Sequence, residues 1–150
     1  MKANELMIGD WVHVEAHRGF NAQNVKVETI PDNDGDYKYG HHYGHIGTWL
    51  DGGDNDFRDV EAKHLQPIPL TPEILEKNGF RVVFEGEFHV CYFQDIGRFH
   101  VEIKVDKVGI FQKLSIWDGF GNKVTIIECR FVHQLQHALR LCGINHEIIL

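Results

Sequence analysis

Two segments of this chain end alike, Leu75 to Gly79-Phe80 and Leu139 to Gly143-Ile144, and each reads as the close of a helix. A glycine just past the last helical residue can take the left-handed conformation that closes the final turn, and the apolar residue after it can fold back onto the helix. The two endings fix where helix must stop. Between and before them lie stretches rich in β-branched and aromatic residues, so the pattern predicts an α+β fold.

The first helix starts clearly. In Leu70-Thr71-Pro72-Glu73-Ile74-Leu75, Thr71 can cap an orphan amide, Pro72 at the first helical position loses no hydrogen bond, and Glu73 suits the positive helix end. Leu70 and Leu75 occupy the two positions of a hydrophobic staple. At about two turns it is too short to stand alone and reads as a packed connector. Segments 81–84, 88–93, 99–105, 110–117 and 124–127 then form an antiparallel meander, with turns at Glu85-Gly86, 95–97, 106–109 and 118–122. Phe99, Val101, Ile103 and Val105 alternate with His100, Glu102 and Lys104, which gives this strand one dry and one wet face. Phe131, Leu135, Ala138, Leu139 and Cys142 recur at helical spacing and predict a helix that covers the dry face, with His133, Gln134, Gln136, His137 and Arg140 pointing away. Glu147 to Leu150 resumes β character and is expected to add a last strand.

Before residue 70 the pattern is all β. Leu6, Ile8, Val12 and Val14 fall on even positions around a Gly9-Asp10 turn; Val25 with Val27 and the stretch 46–50 supply further strands. The Asp-, Asn- and Gly-rich segments 31–44 and 51–59 read as solvated loops. Short strands so punctuated predict a small SH3-like barrel or curled sheet over 1–70. Residues 71–150 form the second subdomain: connector helix, sheet and covering helix. At 150 residues each half would be marginal alone, so the two are expected to pack together.

The net charge of −7 is uneven: residues 1–70 carry twelve acids against six bases, residues 71–150 ten against nine. An acidic surface repels phosphate backbones and disfavours nonspecific nucleic-acid binding. The first residues lack the basic start and apolar run of a signal peptide, and no stretch of eighteen apolar residues occurs, so a soluble cytoplasmic protein away from membranes is expected. Cys91, Cys129 and Cys142 are odd in number and far apart, which fits buried structural thiols in a reducing compartment.

Three landmarks carry a resemblance. Lys2-Ala3-Asn4-Glu5-Leu6 with Ile8-Gly9-Asp10-Trp11-Val12, then Pro67 to Leu75 with Asn78-Gly79-Phe80, and Val132-His133-Gln134-Leu135-Gln136 resemble a family of uncharacterised small proteins from gut Bacteroidales and their prophages or mobile elements. The landmarks run from the first residues to the last helix and leave out the long loops. The resemblance implies a bacterial cytosolic protein of phage or mobile-element ancestry, and brings no activity or site residue with it.

Among candidate sites, His41, His42 and His45 stand close together near several aspartates, and imidazoles so placed can ligate a divalent transition metal. They lie in a Gly-rich loop without a finger's spacing, and a solvated loop is the plainer reading. Asp32, Asp34 and Asp36 imitate a calcium loop, but Tyr37 and Tyr43 stand where its glycine and last carboxylate belong. His133 and His137 have the spacing of a helical zinc clamp, yet no third ligand or glutamate base accompanies them. No nucleophile, paired acid and base, or phosphate loop is evident, so no catalytic residue and no cofactor is expected. Trp11, Trp49, Phe57, Trp117 and Phe120 can stack on a ligand if exposed together, though core positions are their first expectation.

These observations lead to a noncatalytic protein-interaction module. Its expected binding residues are Trp49, Phe57, Asp54 and Asp56, and its expected partner a basic protein. The alternative is a nucleic-acid-binding module, which requires Arg81, Arg98, Lys104, Lys107, Lys113 and Lys123 to gather on one face of the second sheet. A metal-binding protein or enzyme using His41, His42 and His45 is the third reading.

Overall fold

The computed structural model describes residues 5–16, 21–30, 45–49, 57–108 and 112–150. It divides into two compact units, Met1–Ile68 and Pro69–Leu150, each built on an antiparallel sheet. The fold is α+β, and among the described residues no helix is long and apolar enough to cross a membrane.

The first unit contains β1 (Trp11–Val14), β2 (Gln23–Thr29), β3 (His45–Trp49), β4 (Phe57–Glu61) and β5 (Leu65–Pro67), hydrogen-bonded in the order β4-β3-β2-β1-β5. A 3₁₀ turn, Ala62–His64, separates β4 from β5. Leu6, Val12, Val14, Val25, Val27, Ile46, Val60 and Leu65 make one buried cluster, so the period of two does mark the core face. Ile8 breaks it at 63% exposed, because the chain turns there. The amide of Asp10 donates to the Met7 carbonyl at 3.1 Å, and the Met7 amide donates to the fully buried Asp10 carboxylate at 2.8 Å. Two expectations need correction: residues 57–59 belong to β4 rather than to a loop, and after the 3₁₀ turn β5 forms where no strand was expected. Strands this short form by pairing, not by propensity.

In the second unit α1 (Pro72–Lys77) precedes β6 (Arg81–Glu85), β7 (His89–Ile96), β8 (Phe99–Asp106), β9 (Gln112–Trp117), β10 (Lys123–Glu128) and α2 (Val132–Leu141). The five strands are a plain meander, β10-β9-β8-β7-β6. Its rows can be read across the sheet. Ile127, Leu114, Ile103, Tyr92 and Val82 lie opposite one another, as do Thr125, Ile116, Val101 and Gln94. The centres of both rows are buried. A cavity shared by Thr125 and Ile127 with Ala138 and Cys142 places α2 on this side, so the helix covers the dry face.

Both helices end as their sequences imply. Phe80 N–H donates to the Leu75 carbonyl and Gly79 N–H to that of Glu76; Ile144 and Gly143 repeat the pair on Leu139 and Arg140. With φ of 86° at Gly79 and 71° at Gly143, both are Schellman closures. The starts differ. Thr71 Oγ1 accepts from Ile74 N–H at 3.4 Å, whereas at α2 it is Gln134 that reaches back, accepting from the amides of Arg130 and Phe131 at 2.8 and 3.3 Å.

The expected outward face of α2 is partly wrong: His133 and Gln136 are buried along with Val132. The chain just before the helix is held as well: Pro69 bridges to Phe131, and Leu70 N–H donates to the Arg130 carbonyl at 2.9 Å. The expected last strand is also absent. The tail instead runs to α1, where the Asn78 amide donates to the Ile149 carbonyl at 2.7 Å and accepts from the Ile149 N–H at 2.8 Å, while Ile144 and Ile148 are buried. One side chain thus replaces a strand partner.

Candidate functional site

The face of the second sheet away from α2 gathers the chemistry. Strand register sets three rows on it. One runs Glu128, Lys113, Lys104, Cys91, Phe84; the next Ile126, Ser115, Glu102, Phe93, Arg81; the third Lys123, Trp117, His100, Asp95. Ser115 alone among these residues is buried; the rest are half-buried or exposed. A meander puts alternate residues of every strand on one face, so five short wet patterns in the sequence become one continuous surface.

Aromatic rings and charges interleave there. The Arg81 guanidinium stands 5.9 Å from the Phe93 ring, and the Lys123 ammonium 5.6 Å from that of Trp117, both within cation–π range. His100 stacks on Phe93 at 5.9 Å, and its Nδ1 lies 2.5 Å from a carboxylate oxygen of Asp95. Phe84 and His89 lie 5.1 Å apart. Lys104 directly opposes Lys113, a like-charged pair that an adjacent carboxylate, Glu128 opposite Lys113, offsets. Of the six cations a nucleic-acid reading requires, Arg81, Lys104, Lys113 and Lys123 share the face. Arg98 lies instead in the β7–β8 turn over Phe99, and Lys107 is tied to Glu85 at 2.9 Å.

The thiols are not all buried, contrary to expectation. Cys129 is, and burial pushes its thiol up to about 12. Cys91, on the open face, and Cys142, beside the α2 cavity, are half-buried, each raised above the ordinary thiol range chiefly by burial, with Glu102 adding at Cys91. A raised thiol is a poor nucleophile at neutral pH. His133 and His137 meet edge to face at 5.7 Å, and Phe131 stacks on His133 at 5.8 Å. Among the described residues no three His, Cys, Asp or Glu side chains gather as metal ligands.

The residues expected to bind fall elsewhere. Asp54, Asp56, His41 and His42 lie outside the described residues. Trp49 and Phe57 oppose one another at the end of the β3–β4 pair, and His45 opposes Glu61 at its other end. Of the remaining aromatics, Trp11 is half-buried under Lys26 at 5.2 Å, and Phe120 is 88% exposed in the β9–β10 turn rather than in a core. Phe84, Phe93 and His100 were missed as site residues. Their signal was the alternation in segments 81–84, 88–93 and 99–105, visible only once the strands are laid side by side.

No family model, curated protein or solved structure matches the chain.

Proposed function

We propose that the chain is a noncatalytic protein-binding module that presents the face away from α2 to its partner. The observation that carries this reading is the mixed character of that face: Phe84, Phe93 and Trp117 set among Arg81, Lys104, Lys113 and Lys123 on one hand and Asp95, Glu102 and Glu128 on the other. Aromatic anchors ringed by charges of both signs favour a protein surface, whereas a phosphate backbone calls for one sign. The acidic balance of residues 1–70 favours basic segments in that partner. For the first unit, the order β4-β3-β2-β1-β5, the bulge between Val27 and Thr29 and the 3₁₀ turn before β5 support an SH3-like barrel. An origin in a phage or mobile element rests on the three sequence landmarks alone.

The test uses a partner captured by affinity purification, then purified and titrated against the chain. Phe93→Ala with Trp117→Ala should weaken the binary complex by about 2 kcal/mol or more while circular dichroism stays unchanged. Undiminished affinity would remove this face from the reading.

Nucleic-acid binding is the second reading, favoured by the Lys104–Lys113 pair beside stacking rings. Anisotropy of labelled single strands decides it. Salt-sensitive binding lost on Lys104→Glu and Lys113→Glu would replace the protein partner with a nucleic acid.

A further inference from the structure

Among the described residues β10 is an edge of the second sheet, and it is apolar at the surface: Val124 is 46% and Ile126 43% exposed. An edge strand offers a row of backbone donors and acceptors that its one neighbour does not use. Beside it a cavity of about 290 Å³ opens against α2, lined by Thr125, Ile127, His137, Leu141 and Cys142 among others. Leu141 is 80% exposed at its rim.

The register of β10 carries the argument further. Lys123 opposes Trp117 and Thr125 opposes Ile116, so Val124 is an extra residue, a bulge. In a regular strand Lys123 and Glu128, an odd number of positions apart, would point to opposite faces. The bulge brings them onto one face, together with Ile126, while Thr125 and Ile127 share the other. Consider a second β10 laid antiparallel beside the first about a two-fold axis at Ile126. With the bulged Val124 left out of the pairing on each copy, Lys123 then opposes the second copy's Glu128, Glu128 opposes its Lys123, Ile126 meets Ile126, and Thr125 sits beside Ile127. Both charge pairs are of opposite sign and flank an apolar centre, so the strand is complementary to itself.

The other edge lacks this property. Its bulge at Val83 puts Arg81 and Glu85 on different faces, so no two-fold pairing sets them together. Each edge carboxylate already has a cation of its own chain beside it, Glu85 with Lys107 and Glu128 with Arg130, so it is the register that separates the two edges.

We propose that β10 is a self-association edge, at which two copies of the chain pair β10 to β10 and join their sheets into one. The two faces bearing Phe93 and Trp117 then become a single extended surface. This inference rests on the β10 register and is independent of what that surface binds.

Sedimentation equilibrium over a range of concentrations tests it. The native chain should be a reversible dimer. Ile126→Lys, which sets two ammonium groups against each other at the axis, should weaken dimerisation by about tenfold or more. Lys123→Glu and Glu128→Lys should each weaken it, and the double exchange should restore it; Val83→Lys on the other edge should change nothing. The exchanged residues are exposed, so they decide the matter even if Ile126→Lys fails to fold. A monomer at every concentration overturns the proposal, as does a dimer indifferent to Ile126→Lys. So does a double exchange no better than the single ones, or an unrelated extended peptide that occupies β10 of a monomeric chain.

Discussion

The two helices close with the same two hydrogen bonds and the same left-handed glycine, yet the closures serve different surroundings. At the end of α1 the C-cap residue is Asn78, whose amide bonds both polar groups of Ile149 and also the Ile74 carbonyl at 2.8 Å, and Lys77 Nζ donates to the Leu150 carbonyl. At the end of α2 the C-cap is Cys142, half-buried beside the β10 cavity. One closure ties down the tail; the other only turns the chain. A local motif written in sequence thus stops a helix in both places, while the neighbouring side chain decides what the stop is used for.

The largest expected effect tests what the closures share. Leu75 and Leu139 each supply the carbonyl that the returning amide meets, and each is fully buried. Replacing either by Ala should cost about 2–5 kcal/mol in urea unfolding of the whole chain, since it removes apolar burial and leaves a cavity. A cost below about 1 kcal/mol at one of them would show that its closure is peripheral.

The next effect tests what they do not share. Asn78→Ala strands the Ile149 groups and should cost about 1–3 kcal/mol, with earlier hydrogen exchange at Ile148 and Ile149. Cys142→Ala should cost less, having no such clamp to lose. Equal losses would erase the distinction.

Glycine replacement separates the two more finely. Each φ lies where a Cβ is penalised by about 1 kcal/mol. A Cβ at Gly143 would meet nothing within 4 Å, whereas one at Gly79 would stand 2.9 Å from Gln94 Nε2. Gly79→Ala should therefore cost slightly more than Gly143→Ala in melting temperature, the excess being small because an amide tip can move. Gly79→Val and Gly143→Val widen both costs. A lower cost at Gly79 would mean that Gln94 gains more from moving than it loses.

How much of this was legible follows from range. The cap of α1, the closures of both helices, the meander and its dry face involve residues within a few positions of one another, and are read from their spacing, whereas the Gln134 contacts at the start of α2 are not. The burial of His133 and Gln136 could not be read, because the spacing within α2 marks them as polar-face positions and nothing local to the helix says that this face is covered. The same holds for the open face: Phe93 and Trp117 share it only through β8, whose Glu102 and His100 stand between them. The bulge at Val124 left no local sign, yet it decides which face Lys123 occupies. Alternation foretells a face within a strand, and register joins faces across strands.

The smallest effect concerns a turn that belongs to neither closure. In the β9–β10 connection the Asp118 carboxylate accepts from the Asn122 side-chain amide at 3.0 Å, from Asn122 N–H at 2.8 Å and from Phe120 N–H at 2.9 Å. These bonds, the Asn122 side chain first, hold its pKa below the usual 3.8. A carboxylate depressed on folding contributes stability that is present above its unfolded value and fades as pH falls through the folded one. The gap in melting temperature between the native chain and Asp118→Ala should thus be open at neutral pH and narrow below 3.8. The carboxylate is reached and screened by water, so the gap should be smaller than any change at the helix ends. A gap that stays constant down to strongly acid pH would mean that the turn is held by the backbone bonds between Asp118 and Asn122 and between Gly121 and Asp118, and that the carboxylate contributes nothing to it.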